Sequence, residues 1–391
     1  MASPAQLVWH KIKKNKPAVI GLFFISTCVL VALLGYGITP DDSPAANEQM
    51  VDIQLKSPGY TCQILPVVKN RLVEKRGFLK KLFFGQPSQQ TNIPIVTYRF
   101  ASDSIFFKRP EALTEEAIHL ADVYFPLDYN KQPISKSGDN IQIIQIGVSS
   151  PLLISSQELV DGIKHKIKSR KFLLGTDVFG RDVLSRLMIG LRISLFVGLI
   201  AVVISLTIGI VIGAIAGYFG GKTDDLLMLL INTVWSIPTL LLVFAIVLTL
   251  GKGISNIFIA VGLTMWVEVA RIVRGQVMSY RKQAFVEAAK TMGFKSARII
   301  FKHILPNIMG PLLVIAAANF ATAILIEAGL SYLGFGIDPP QPSWGTMLNE
   351  NYGYALSGKP WIAIVPALAI LLLVLSFNLI GNGLRDAFAE K

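Results

Sequence analysis

The chain has 391 residues, of which 52% are hydrophobic and only 16% charged, with a mean hydropathy of +0.54. A soluble domain carries nearer about a quarter charged residues, so a soluble globular body is excluded. The net charge is +12, but the basic residues cluster at the ends of apolar runs, which points to a membrane partner and not to nucleic acid.

Residues 1–16 form a short basic head with Lys11, Lys13, Lys14 and Lys16. Pro17 to Ile38 is almost free of charge. About 20 such residues cross roughly 30 Å of hydrocarbon at about 1.5 Å each. The run exceeds the roughly 7–15 residues of a signal-peptide core, so residues 17–39 read as an uncleaved first transmembrane helix. Residues 40–188 turn polar. Ile93–Phe100 and Ile141–Val148 look like strands, and Thr114–Val123 and Gln157–Lys168 like helices, the second capped by Ser155 or Ser156. This predicts a small α/β segment inserted outside the membrane. Lys69–Lys81 is basic and partly amphipathic; it reads as a solvated helix face, with a lipid-binding surface as the alternative.

Residues 189–388 form the core. Ile193–Tyr218, Leu226–Leu250, Asn256–Ala270, Gly310–Leu330 and Ile362–Ile380 supply five further spans, making about six. Asn256–Ala270 is the shortest and ends in a charged stretch. Pro238 predicts a kink in the third span. Arg271, Arg274, Arg281, Lys282, Lys290, Lys295, Arg298 and Lys302 crowd between spans four and five, whereas the loops after spans three and five carry only Lys252 and Lys359. The positive-inside rule then puts the N-terminus, the 271–306 loop and the C-terminus in the cytoplasm, and residues 40–188 outside.

Ala216-Gly-Tyr-Phe-Gly-Gly-Lys-Thr223 resembles a loosened phosphate loop. It ends a span where a real one follows a buried strand, and Asp224 and Asp225 would repel phosphate. The glycines serve better as a tight turn. His10, His119, His165 and His303 lie in no metal spacing, and Cys28 and Cys62 suggest no disulfide. No catalytic constellation stands out, so the chain reads as a non-enzyme with no cofactor of its own. Glu268 precedes Arg271 by three residues, which predicts a local ion pair. Glu327 in span five suits a structural hydrogen bond, or else a substrate contact; with Trp344 and Pro238 it makes a candidate pathway or interface position.

The remaining candidate is the charged loop. Ala284–Met292 is a good helix former, Gly293 would cap it, Lys295–Ile304 is helical again, and Pro306 would break it before span five. Chemistry alone leaves two readings: a knob that docks a partner, or an amphipathic interfacial helix.

Glu287-Ala-Ala-Lys-Thr-Met-Gly293 followed by Leu305-Pro306 resembles the EAA loop of ABC importer permeases. The general pattern has Ile where His303 stands. Phe301-Lys-His-Ile-Leu-Pro-Asn307 instead is similar to the dipeptide/oligopeptide branch. Leu174-Gly-Thr-Asp-Val-Phe-Gly-Arg-Asp-Val-Leu-Ser-Arg186 looks like the segment before span two of its C-type subunits. Ala270-Arg-Ile-Val-Arg-Gly-Gln276, Leu330-Ser-Tyr-Leu-Gly-Phe-Gly336, Pro342-Ser-Trp-Gly345 and Asn378-Leu-Ile-Gly-Asn-Gly-Leu-Arg-Asp386 agree, although the family usually has Asp at Asn382. The resemblance covers the first span and about 172–388, and omits most of 41–170.

The resemblance implies an all-α polytopic fold and a role in peptide import across a bacterial inner membrane. Glu287, Ala288, Ala289, Gly293, His303, Leu305 and Pro306 would couple it to ATPases. The implied partners are a homologous B-type permease, two cytoplasmic ATPases that hydrolyse ATP, and a substrate-binding protein outside. Nickel or oligosaccharide cargo is the alternative within the family, and a self-powered carrier or channel the alternative outside it.

Overall fold

The computed structural model describes residues 4–137, 140–148 and 150–389; residues 1–3 of the expected basic head lie outside them. The chain opens with α1 (Pro4–Lys14) and α2 (Lys16–Leu34), and a 3-10 turn at Gly35–Gly37 prolongs α2. Then follow β1 (Tyr60–Val68), α3 (Phe78–Phe84), β2 (Gln90–Ile95), β3 (Thr97–Ala101), β4 (Ser104–Lys108) and β5 (Glu116–His119). Next come α4 (Leu120–Tyr124), β6 (Ile134–Ser137), β7 (Asn140–Ile143), β8 (Leu152–Ser155), α5 (Ser156–Lys166) and β9 (Lys168–Phe172). The remainder is helical: α6 (Val183–Phe219), α7 (Gly221–Trp235), α8 (Thr239–Leu250), α9 (Ile254–Arg281), α10 (Ala284–Thr291), α11 (Ser296–Ile299), α12 (Met309–Tyr332), α13 (Trp344–Leu356) and α14 (Trp361–Ala389).

By internal contacts the chain divides into two units. One holds residues 1–33, 190–352 and 363–391, and the other residues 34–189 and 353–362.

The second unit is built on antiparallel sheets of three strands each, ordered β2-β1-β9, β3-β4-β5 and β6-β7-β8. Leu65, Ile95, Ile105, Phe107, Ile141, Leu159 and Ile163 close its core. The expected strand Ile93–Phe100 divides at Val96 between β2 and β3, and the expected strand Ile141–Val148 stays in β7 only to Ile143, with an isolated bridge from Gln145 to Leu127 beyond it. Thr114–Val123 is not one helix. Glu116–His119 pairs with β4 as β5, and His119 then caps α4 by accepting from the Ala121 N–H at 3.1 Å. Pairing with a ready neighbour overrides local helix propensity there. The expected helix at Gln157–Lys168 is α5, which ends at Lys166 so that Lys168 opens β9, and Ser155 Oγ accepts the Glu158 N–H at 3.2 Å.

The same unit contains a buried polar knot made by the 174–186 segment. Arg181 Nε donates to Asp177 Oδ2 at 2.6 Å, while Asp177 Oδ1 accepts the Phe179 and Arg181 N–H groups at 2.9 Å each. Ser185 bridges Asp182 to the Asp41 N–H, and the Leu55 N–H bonds to the Asp177 carbonyl at 3.1 Å. Burial pushes the Asp182 carboxyl above the usual carboxylate range, partly offset by its Ser185 hydrogen bonds. Gly180 holds φ +71°, and a Cβ there would collide with the Met50 carbonyl.

In the first unit, among the described residues, five helices are long and apolar enough to cross a membrane, the first spanning Lys16–Gly37. At 37 residues and about 1.5 Å each, α6 outruns roughly 30 Å of hydrocarbon. The expected third span is not a single kinked helix. α7 and α8 meet at 86°, with Pro238 at the turn, because proline lacks the N–H and turns Ile237 before it away from helical geometry. Counted as one broken span they bring the number to six; as a re-entrant pair they leave it at five. Gly220 and Gly221, two of the three glycines of the phosphate-loop lookalike, take φ of 69° and 54° and turn the chain from α6 into α7. The expected fourth span, Asn256–Ala270, is longer than its apolar run. α9 continues to Arg281, carrying Arg271 and Arg274 on the helix and not in a loop.

α6 and α9 approach each other closely through their backbones. Gly209, Gly213 and Gly217 are four residues apart and face α9. A Cβ at Gly209 would lie 2.8 Å from the Trp266 carbonyl, at Gly217 2.6 Å from that of Arg274, and at Gly213 it would collide with the Ala270 carbonyl. Gly262 answers from α9, with Ile204 Cβ 2.7 Å from where its own Cβ would be. Small residues at this spacing let helix backbones touch where lipid offers no hydrophobic drive to associate. Replacing Gly213 by Val is expected to destabilise the protein by about 1–3 kcal/mol. It should lower the thermal unfolding midpoint in detergent. Gly275→Ala, with nothing within 4 Å of the added methyl, should leave that midpoint unchanged.

Candidate functional site

The end of α9 is fastened before the candidate loop begins. Arg274 Nε and Nη2 bond to the two oxygens of Asp224 on α7 at 2.6 and 2.5 Å. This two-pronged, partly buried geometry is the strong form of a charge pair. The Arg271 guanidinium lies 3.9 Å from the centroid of the Trp235 ring, also on α7. The expected pair between Glu268 and Arg271 does not form; no ion pair joins them among the described residues, because the arginine stacks on the indole instead.

After Lys282 and Gln283 the chain reverses into α10. Val286 and Ala289 point inward and are almost fully buried with Ala214 and Tyr218 of α6, Val273 and Val277 of α9, and Ile304 and Ile308. Three and four residues apart on a helix means the same face, so the opposite face is fixed as well. Ala284, Glu287, Ala288 and Thr291 occupy that face and are exposed. Three of the four have short side chains. Phe285 and Met292 flank them, 41% and 65% exposed.

α10 ends in a paired-bond turn. The Phe294 N–H reaches the Ala289 carbonyl at 3.1 Å, the Gly293 N–H reaches Lys290 at 2.9 Å, and Gly293 sits at φ +76°. This closes the helix's orphan carbonyls and needs glycine at the left-handed position. His303 stacks on Phe294, centroids 6.0 Å apart, and Arg298 covers the ring at 4.2 Å. The Asn307 amide donates to the His303 carbonyl at 2.6 Å, and Tyr280 Oη donates to the Asn307 carbonyl at 3.3 Å.

Pro306 does not break the chain. From Ser296 the backbone stays helical to Tyr332, passing from α11 through a π turn at Ile300–Ile304 and a 3-10 turn at Leu305–Ile308 into α12. The π turn shifts the bonding register just ahead of Pro306, and the proline then falls in the first turn of a new segment, where its missing N–H costs little.

Of the residues singled out in sequence, Glu287, Ala288, Gly293 and Pro306 are exposed, His303 and Leu305 are half-buried, and Ala289 is buried under α10. Ala289 therefore faces this chain's own core. Phe285, Met292 and the 61% exposed Phe301 were not singled out. The spacing 284, 287, 288, 291 carried the signal for the exposed stripe.

Glu327 and Trp344 come together elsewhere. Glu327 is fully buried in α12 and accepts from Ser331 Oγ at 2.7 Å, with Ser343 beside it. Oε2 has no hydrogen-bond partner among the described residues. Trp344 is 3% exposed and packs on Gly190, while Gly345 lies so close to α12 that a Cβ would sit 2.6 Å from the Ala328 carbonyl. Pro238 is exposed at the α7–α8 bend and joins neither group.

Residues 209–391 match the family described as "Binding-protein-dependent transport system inner membrane component". Residues 3–58 match "N-terminal TM domain of oligopeptide transport permease C". The chain is 41% identical over 255 residues to the oligopeptide transport system permease protein of Bacillus subtilis (strain 168), covering 64% of this chain and 83% of the relative. It is 41% identical over 250 residues to a dipeptide transport system permease of Alkalihalophilus pseudofirmus, at 63% and 82% coverage. A glutathione transport system permease of Escherichia coli O157:H7 is 42% identical over 217 residues, at 56% and 71% coverage. An inward-facing structure of the MetNI methionine ABC transporter is 20% identical with a TM-score of 0.42, covering 53% of this chain and 95% of that one.

The knob's hold on the helices beneath it is testable by proteolysis. Val286→Asp places a charge in an apolar site and is expected to cost about 3 kcal/mol or more locally. Trypsin should then cut at Lys290 and Lys295 much faster than in the unaltered protein. Glu287→Ser, on the exposed face, should leave the cutting rate unchanged.

Proposed function

Because the chain belongs to the inner-membrane permease components of binding-protein-dependent transport systems, in their dipeptide/oligopeptide branch, we propose that it is one permease subunit of an ATP-driven peptide importer. It pairs with a homologous B-type permease to enclose the pathway. Two cytoplasmic ATPases bind and hydrolyse the ATP, and a substrate-binding protein delivers peptide on the opposite face. The N-terminus, the knob and the C-terminus face the cytoplasm of a bacterial cell. The lysines before the first span and the basic residues from Arg271 to Lys302 support that orientation.

The observation that carries the reading is the two-sided α10. Its inner face is locked onto α6 and α9, and its outer face offers Ala284, Glu287, Ala288 and Thr291. Short side chains let a groove on an ATPase close near the helix backbone. Phe285 and Met292 add apolar contact at the flanks, where buried aromatic and Met side chains concentrate binding energy. A push on α10 passes into α9 through Val273 and Val277 and into α12 through its continuous helical lead-in. ATP-driven movement of the partner thereby shifts the spans that bound the pathway, as a rigid-body displacement and not a chemical step.

Gly293→Val puts a β-branched residue at φ +76° and misorients α10. Ala288→Trp fills the exposed stripe without touching the core. Both variants should insert and fold normally. In proteoliposomes of the complete complex, Gly293→Val should separate ATP hydrolysis from peptide uptake, and Ala288→Trp should release the ATPases on purification. Full coupled uptake by both would refute the docking role of this knob.

A further inference from the structure

Between β1 and β2 the chain leaves its sheet for residues 69–89. The excursion is stitched together. The Lys69 N–H bonds to the Gln89 carbonyl at 2.8 Å, and the Arg76 N–H to Gln86 Oε1 at 2.9 Å. Arg76 Nη1 caps the end of α3 by bonding to the Phe84 and Gly85 carbonyls at 2.7 and 2.9 Å. This is a built protrusion, and α3 lies on it.

One face of α3 is anchored to the chain that emerges from the first span. Leu82 packs on Gly37, whose added Cβ would lie 3.2 Å from Leu82 Cδ1. Lys81 Nζ pairs with Asp42 at 2.8 Å, and the Gln86 N–H bonds to the Asp42 carbonyl at 2.8 Å. Gly37 is the last residue of the apolar run Lys16–Gly37. The contact therefore fixes α3 at the depth where that run ends, which is the boundary between acyl chains and headgroups.

α3 and the turn before it leave large apolar side chains exposed beside that anchor. Phe78, Leu79 and Phe84 are 79%, 69% and 65% exposed, and Leu72 ahead of them is 73% exposed. Arg71, Lys75 and Lys80 are exposed among them, with Glu74 the one exposed acidic side chain of the stretch. A solvated helix face would carry polar side chains here. The core of a protein interface would exclude lysines from between the apolar groups. Large apolar side chains interleaved with long basic ones suit the membrane interface, where rings and leucines enter the acyl boundary and lysines reach phosphate.

We propose that α3 and the turn before it form a membrane-interface anchor: Leu72, Phe78, Leu79 and Phe84 enter the headgroup–acyl boundary, and Arg71, Lys75 and Lys80 meet phospholipid phosphates. The anchor ties the inserted unit to the bilayer surface.

Spin labels at Leu79→Cys and Phe78→Cys test it, with Leu113→Cys as an aqueous reference because Leu113 is 96% exposed in the same unit. The background carries Cys28→Ala and Cys62→Ala. The full-length chain with its co-purifying subunits is placed in nanodiscs of phosphatidylethanolamine and phosphatidylglycerol. Collisions of each label with oxygen, which prefers lipid, and with a water-soluble nickel chelate are then measured. The expected result at both α3 positions is nickel access several-fold below that at Leu113, with oxygen access preserved or raised. Nickel access equal to that at Leu113 overturns the proposal in favour of a solvated face. Low access to both reagents overturns it in favour of a protein partner covering α3.

Discussion

The backbone contact between α6 and α9 is the constraint on which the helical unit rests. Lipid tails are as apolar as leucine, so two helices in a bilayer gain little by burying large side chains against each other. Dispersion at short range must do the work. Gly209, Gly213 and Gly217 remove the side chains that would hold the helices apart, and the carbonyls of Trp266, Ala270 and Arg274 fill the space. The pair so formed ends in a platform of Ala214, Tyr218, Val273 and Val277. Everything in the knob is placed by that platform.

The knob's design follows from having only about two turns of helix to work with. Isolated helices of this length are marginal in water, so α10 depends on tertiary contact. Val286 and Ala289 supply that contact, and Gly293 closes the helix with a turn that satisfies its last carbonyls. The Asp224 pair and the Trp235 stack hold the neighbouring end of α9 against α7. Force applied at the exposed stripe thus meets a stiff assembly and passes into long helices. The π and 3-10 turns ahead of α12 change the helix without interrupting it, which preserves a continuous path from Ser296 to Tyr332.

The inserted unit solves a different problem. Its small sheets bury a core of isoleucines, leucines and Phe107, while the 174–186 segment is held by charge and hydrogen bonds. Asp177, Arg181 and Asp182 are nearly inaccessible to water, and such groups are tolerable only because each finds partners. The same segment grips residues 41–56 through backbone bonds at Met50 and Leu55. A chain that must leave the first span, form a separate unit and re-enter at α6 is gathered at one polar knot.

The sequence by itself determined the membrane class, the number of apolar runs and the place of the charged loop, because those depend on hydropathy, length and charge, which are local sums. It also determined the α10 cap, since only glycine suits φ +76° at Gly293. Tertiary structure decided what depended on neighbours. Pairing with β4 made a strand of Glu116–His119, and packing on α7 and α6 carried α9 past Ala270 to Arg281. A right-angled turn replaced the kink at Pro238, because proline fixes where a helix stops but not the direction in which the next one starts. Ala288 and Ala289 are adjacent and identical in sequence. Only the contact with α6 and α9 turned one outward and the other into the core, because a helix acquires an inside face only when something lies against it.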